Sequence, residues 1–142
     1  MSREDFRSLI PHRGAMSLLN EVIRADEESI TCRATSHRDP AHPLRVDGVL
    51  PAVCAIEYAA QAMAVHGALS EGHASRAGML AAVRDVTLNV ARLDDIVDDL
   101  MLTARRLIGD HRQMLYQFAV LAGERELLRG RAAVVLAPQA FA

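Results

Sequence analysis

Glu57 and Gln61 are the charged and amide side chains that interrupt an otherwise apolar run from Leu50 to Val65. They stand four apart, one helical turn, and therefore share a face. An ionised carboxylate in such surroundings is costly unless paired, so its pKa is expected to rise. A carboxyl tuned in that way exchanges protons near neutral pH, the work of a general acid or base. Gln61 is expected to hold that carboxylate or a substrate oxygen.

A histidine is the natural complement to such a group. His42, beside Pro43 in the segment before the apolar run, is the candidate base, with His37 as its competitor. His12, in Pro11-His12-Arg13, reads as a structural loop residue, while His66 falls late in the helix and His73 and His111 in turns. Their spacing makes no zinc pattern, so no metal is expected, and no cofactor is called for. Pro51-Ala52-Val53 opens the run with first-turn N–H groups that have no helical acceptor, a ready site for a developing oxyanion. Pro51, Ala52, Val53 and Gln61 are the candidate substrate contacts.

The elements that must position these residues are legible from periodicity. A short helical lead-in ends at Pro11, and Met16 to Asp26 reads as a first strand. Ala25-Asp26-Glu27-Glu28 makes a polar turn, and Ile30, Cys32 and Ala34 then alternate with Thr31, Arg33 and Thr35, the period of a half-buried strand. Ser36 to Gly48, with its prolines, histidines and aspartates, is loop. Pro51 stands where a first-turn proline is tolerated, and the Ala-rich sequence predicts one long helix to about Leu69. Beyond it, Met79 to Leu93, Asp99 to Ile108, Gln113 to Ala122 and Leu127 to Ala137 read as strands separated by Asp- and Gly-containing turns. A single apolar helix among antiparallel strands is buried only if the sheet wraps it, which is the α+β hot-dog arrangement. Such a sheet keeps an exposed edge, and edge-to-edge dimerisation covers it economically.

With 142 residues and no linker, repeat or low-complexity tract, a single domain over 1–142 is expected. The formal net charge of −2 and the low aromatic content argue against nucleic acid or an anionic membrane as partner. All 16 basic residues are Arg, which removes lysine Schiff-base chemistry and leaves many donors suited to carboxylates or phosphates. Cys32 and Cys54 form no metal or redox pair by spacing and read as small buried residues of a reducing compartment. The charged start MSREDFRSLIP lacks the apolar core of a signal peptide, and Leu50 to Val65 reads as too short to span a bilayer. A cytoplasmic location is the expectation.

Two segments resemble the β-hydroxyacyl-[acyl-carrier-protein] dehydratases of the hot-dog fold. Ile10-Pro11-His12-Arg13 running into Leu18-Leu19-Asn20-Glu21-Val22 is similar to that family's Pro-His-Arg approach to its first strand. Leu50-Pro51-Ala52-Val53-Cys54-Ala55-Ile56-Glu57-Tyr58-Ala59-Ala60-Gln61-Ala62 is similar to its Pro-Gly-Val-x-x-x-Glu-x-x-Ala-Gln-Ala helix, and closer still to the Ile-Glu-Tyr-x-Ala-Gln-Ala helix of dehydratase-like proteins from aryl-polyene gene clusters. The resemblance implies loss of water from a 3-hydroxyacyl thioester to give the trans-2-enoyl thioester, in fatty-acid or polyene-type synthesis. A histidine takes the proton next to the carbonyl, a glutamate from the partner subunit's helix assists the leaving hydroxyl, and a helix N-terminal N–H polarises the carbonyl. Glu57 matches the glutamate and Ala52 stands at the glycine whose N–H is used. The family histidine lies fourteen residues before the glutamate; here Pro43 holds that offset and His42 is one residue earlier. The implied partners are an acyl carrier protein bearing a phosphopantetheine-linked acyl chain and a second subunit, identical or related. Two other readings stand beside it: a hot-dog thioesterase, with Glu57 activating water, and a non-catalytic acyl-binding subunit of an active dehydratase.

Overall fold

A computed structural model describes residues 14–71, 78–110 and 112–136, so the lead-in before Pro11 and His12, His73 and His111 lie outside the described residues. Six strands, β1 (Glu21–Ala25), β2 (Ser29–Ala34), β3 (Gly78–Leu88), β4 (Leu100–Gly109), β5 (Gln113–Ala122) and β6 (Arg125–Leu136), surround one helix, α1 (Ala55–Glu71). They form one antiparallel sheet in the order β1-β2-β4-β5-β6-β3, with β1 and β3 at its edges.

Alternation decides which face each strand buries. Ile30, Cys32 and Ala34 of β2, Leu100 and Leu102 of β4, and Tyr116, Phe118 and Val120 of β5 point inward onto α1 and are buried. From the helix, Ala55, Tyr58, Ala59, Ala62, Met63 and Val65 meet them in one core. By length and composition, the window Ala52–Leu69 passes for a membrane span, contrary to the expectation of too short a stretch; with 56% of it buried inside the protein, it serves as the core helix. The first strand is shorter than expected. Gly14–Met16 is a 3-10 turn, and Leu18 and Leu19 enter the core from extended backbone before β1 begins at Glu21.

Close approach explains one glycine. Gly130 of β6 lies opposite Phe118, and a Cβ there would meet the Phe118 ring and Val86 Cγ2, each at 3.0 Å. The two edges differ. β1 is five residues long and exposes Ile23 and Arg24; β3 has 11 residues and exposes Leu80, Val86 and Leu88 beside Arg84 and Asp85.

Candidate active site

The loop from Ser36 to Leu50 is locked before it reaches the helix. Val46 and Val49 bond each other in both directions around Asp47 and Gly48, whose φ values of 51° and 79° make a tight turn with left-handed central residues. Arg45 donates from Nη1 to the Gly48 carbonyl and from Nη2 to the His37 carbonyl. At the loop's end the Leu50 N–H donates to Asp94 Oδ1, a carboxylate held well below its ordinary pKa by the Arg92 guanidinium.

His42 is buried on this loop, and both its ring nitrogens are occupied. The Leu44 N–H donates to Nδ1 at 3.1 Å, so in the neutral ring the proton sits on Nε2. Nε2 lies 2.9 Å from the Tyr58 hydroxyl, Tyr58 2.7 Å from Ser36 Oγ, and Ser36 Oγ donates to the Leu18 carbonyl at 2.8 Å. One direction satisfies every group: His42 Nε2–H to Tyr58, Tyr58 O–H to Ser36, Ser36 O–H to the backbone. Burial lowers the His42 pKa, with Arg45 adding to the shift, and burial pushes Tyr58 up to about 12. A general base needs a lone pair aimed at the substrate proton. The single lone pair of this ring is on the Leu44 N–H.

Glu57 precedes Tyr58 on α1, so loop and carboxylate meet at the same helical turn. Its place differs from the expectation of burial. Tyr58 and Ala59 turn inward, whereas Val53, Ile56, Glu57, Ala60 and Ala64 form the incompletely covered face of the helix, with Val53 53% exposed. A cavity of about 400 Å³ beside His42 is lined by Ser36, Arg38 and Pro43 among others, and not by Glu57.

The remaining candidates are largely engaged within the chain. Gln61 is fully buried, its Oε1 accepting from the Leu18 N–H at 3.0 Å and its Nε2 donating to the Met16 carbonyl at 2.6 Å. Both atoms of its amide thereby hold the N-terminal segment, as a neighbouring strand would. The Ala52 N–H, expected to polarise a carbonyl, donates instead to the Ala91 carbonyl at 3.0 Å, and Pro51 bridges to Arg92. Among the described residues no carbonyl accepts from the Val53 N–H, which makes it the open amide of this turn. His37, the competing base, is buried with Nε2 3.1 and 3.0 Å from the carbonyls of Ile96 and Asp98, and burial lowers its pKa. His66 joins Tyr116 at 2.8 Å and the Asp26 carbonyl at 2.9 Å, a link between helix and sheet. Among the described residues no group of three or more His, Cys, Asp or Glu side chains is placed to hold a metal. Tyr58 and Ser36 escaped sequence reasoning; a hydroxyl beside Glu57 in an apolar helix was the available signal.

An antiparallel sheet wrapped on one long apolar helix, with a histidine loop docked on the helix turn that bears a carboxylate, defines a hot-dog-fold protein. The chain belongs to the ApeP-like family, described as ApeP dehydratase, which matches residues 4–142. Among solved structures it is similar to a chain of the dehydratase heterocomplex ApeI:P from Xenorhabdus doucetiae, with 26% identity, a TM-score of 0.82, and coverage of 94% of this chain and 91% of that one. An HP0420 homologue from Helicobacter felis shares the fold at 14% identity and a TM-score of 0.63, covering 94% and 89% of the two chains. A thioesterase from Haemophilus influenzae does so at 12% identity and a TM-score of 0.60, covering 82% and 77%. Among curated proteins none matches the sequence.

Proposed function

We propose that this chain is one half of a two-subunit dehydratase acting on a 3-hydroxyacyl thioester carried by acyl carrier protein. It offers Glu57 to a histidine of a related partner subunit, while its own His42 holds the loop against the helix. The reaction removes the C2 proton and the C3 hydroxyl as water and leaves the trans-2-enoyl thioester. The observation that carries the reading is the contrast between His42, buried with both ring nitrogens bonded, and Glu57, on the helix face that the sheet leaves partly uncovered. The free edge of β3 supports a second subunit, since an edge strand with exposed Leu80, Val86 and Leu88 gains by being covered. The similarity to a chain of a dehydratase heterocomplex favours a related rather than an identical subunit.

The test is an assay of 3-hydroxybutyryl and crotonyl thioesters with the purified chain, alone and with a related dehydratase-like subunit. Enoyl formation is expected only in the mixture. Water loss by the chain alone would overturn the division of labour, and thiol release without enoyl formation would make it a thioesterase.

A further inference from the structure

Between β3 and β4 the chain runs as a strap, residues 89–99, that holds both parts of the site. Its start is fixed to β6: the Asn89 N–H donates to the Leu127 carbonyl at 2.9 Å, and Asn89 Nδ2 to the Glu126 carbonyl at 3.1 Å. Its far end carries the His42 loop, with His37 Nε2 3.1 Å from the Ile96 carbonyl and Arg38 Nη1 donating to the Val97 carbonyl at 2.7 Å. Its middle forms a short antiparallel ladder with the entry of α1. The Leu93 N–H donates to the Leu50 carbonyl at 2.8 Å, the Ala52 N–H to the Ala91 carbonyl at 3.0 Å, and Pro51 stands opposite Arg92. Leu50 and Leu93 are fully buried, which anchors this ladder in the core. One of its links is a side chain. The Leu50 N–H meets Asp94 Oδ1 at 2.8 Å, and the Arg92 guanidinium forks onto the same carboxylate, with Nε 3.1 Å from both oxygens and Nη2 on Oδ2. The Asp94 side chain is only 6% exposed.

We propose that Asp94 is a positioning residue for the dehydration, holding the entry of α1 through Leu50 so that Glu57 meets the departing hydroxyl in register. This rests on the reading given under Proposed function. Asp94 does not touch the substrate, because its oxygens are taken by Leu50 and Arg92. Its effect passes along the backbone: Leu50 and Ala52 are pinned to the strap, the Cys54 N–H then closes on the Pro51 carbonyl at 3.0 Å, and α1 follows with Glu57 in its first turn. With the Ala52 N–H spent on the strap, the Val53 N–H is the open amide beside that carboxylate. A charged acceptor holds an N–H more firmly than a neutral one. Such firmness matters here because a displacement of about 1 Å in a reacting group costs up to about 100-fold in rate. A role in stability alone would instead lower the melting temperature and leave turnover of the folded enzyme intact.

Steady-state kinetics of the two-subunit assembly on a 3-hydroxybutyryl thioester test the proposal, together with hydrogen exchange at single amides, which needs no activity. In Asp94→Ala, kcat per folded enzyme should fall about tenfold or more, with KM within about twofold of wild type. Asp94→Asn, which keeps an oxygen acceptor for the Leu50 N–H, should recover most of that loss. Asn89→Ala, which frees the strap at β6 without touching the helix entry, should keep kcat. Exchange at the Leu50 and Ala52 amides should quicken about tenfold in Asp94→Ala and stay unchanged in Asn89→Ala. If Asp94→Ala does not fold, Asp94→Glu reads the same claim: it keeps the charge but moves the acceptor by one methylene, and kcat should still fall by about threefold or more. Unchanged kcat in the Asp94 variants, an equal loss in Asn89→Ala, or unchanged exchange at Leu50 and Ala52 would overturn the positioning role while leaving the proposed function intact. A wild-type assembly that forms no enoyl product would remove the proposed function, and the positioning role with it.

Discussion

His42 Nε2 and the Tyr58 hydroxyl lie 2.9 Å apart inside the protein, and this bond ties the histidine that the sequence offers as a base to the helix. The ring ties the loop to the helix turn of Glu57 and heads a chain in which it donates to Tyr58, Tyr58 to Ser36 and Ser36 to the Leu18 carbonyl. Tyr58→Phe removes one member of that chain and leaves the buried His42 Nε2–H without its acceptor. The expected loss is about 1–3 kcal/mol of unfolding free energy, read by urea denaturation. A neutral effect would mean that the ring is held by packing alone.

Gln61 makes a comparable prediction at the other end of the site. Its amide stands in for a strand along Met16 to Leu18, and Gln61→Leu leaves the Leu18 N–H and the Met16 carbonyl without their partners. Stability should fall by about 1–3 kcal/mol, and hydrogen exchange at the Leu18 amide should accelerate more than at amides of β5. Uniform acceleration across the sheet would instead indicate global loosening.

At Gly130 the sheet has no room for a side chain. Gly130→Ala places a methyl 3.0 Å from both the Phe118 ring and Val86 Cγ2, and 3.3 Å from the Arg84 carbonyl. Destabilisation of about 1–3 kcal/mol is expected, with Phe118→Leu in the same chain recovering part of it by shortening the ring's reach. An unchanged melting temperature for the single variant would contradict this packing.

The buried histidines set the response to acid. His37, His42 and His66 all have pKa values lowered by burial, so the unfolded chain, with values near about 6.5, binds protons first as pH falls. Protons bound by the unfolded state exceed those of the native state below that value, and stability therefore falls with falling pH. The contribution is fully present above about 6.5 and is lost as pH falls toward the folded values. Calorimetry between pH 7.5 and pH 5 should show the melting temperature declining on the acid side. A flat or rising profile would show the histidines to be solvated.

The strands were legible because alternation is a local signal: β5 has the bounds that Met114, Tyr116, Phe118 and Val120 imply. The helix was legible from its composition, and Glu57 from its isolation within it. What could not be read was the occupation of the other polar groups, because each depends on a distant segment. Gln61 meets backbone more than forty residues earlier in the chain, at a separation of 43 for Leu18, and His66 meets Tyr116 at a separation of 50. The Ala52 N–H looks open in any helix start, and only the return of the chain at Ala91 closes it. Glu57 looked buried because its neighbours are apolar, yet those neighbours form the side of α1 that the sheet covers least.

The proposed division of labour between Glu57 and His42 is tested most directly in the proposed two-subunit assembly, with initial rates of water loss from a 3-hydroxyacyl thioester. Glu57→Gln in this chain should lower the rate by about 100-fold or more, with the complex intact by size-exclusion chromatography. Tyr58→Phe and His42→Asn, measured on the folded fraction, should change the rate by no more than about threefold if, as proposed, both hold the loop and neither contacts the reacting atoms. Full activity in Glu57→Gln, or loss in His42→Asn as deep as that expected for Glu57→Gln, would contradict the account.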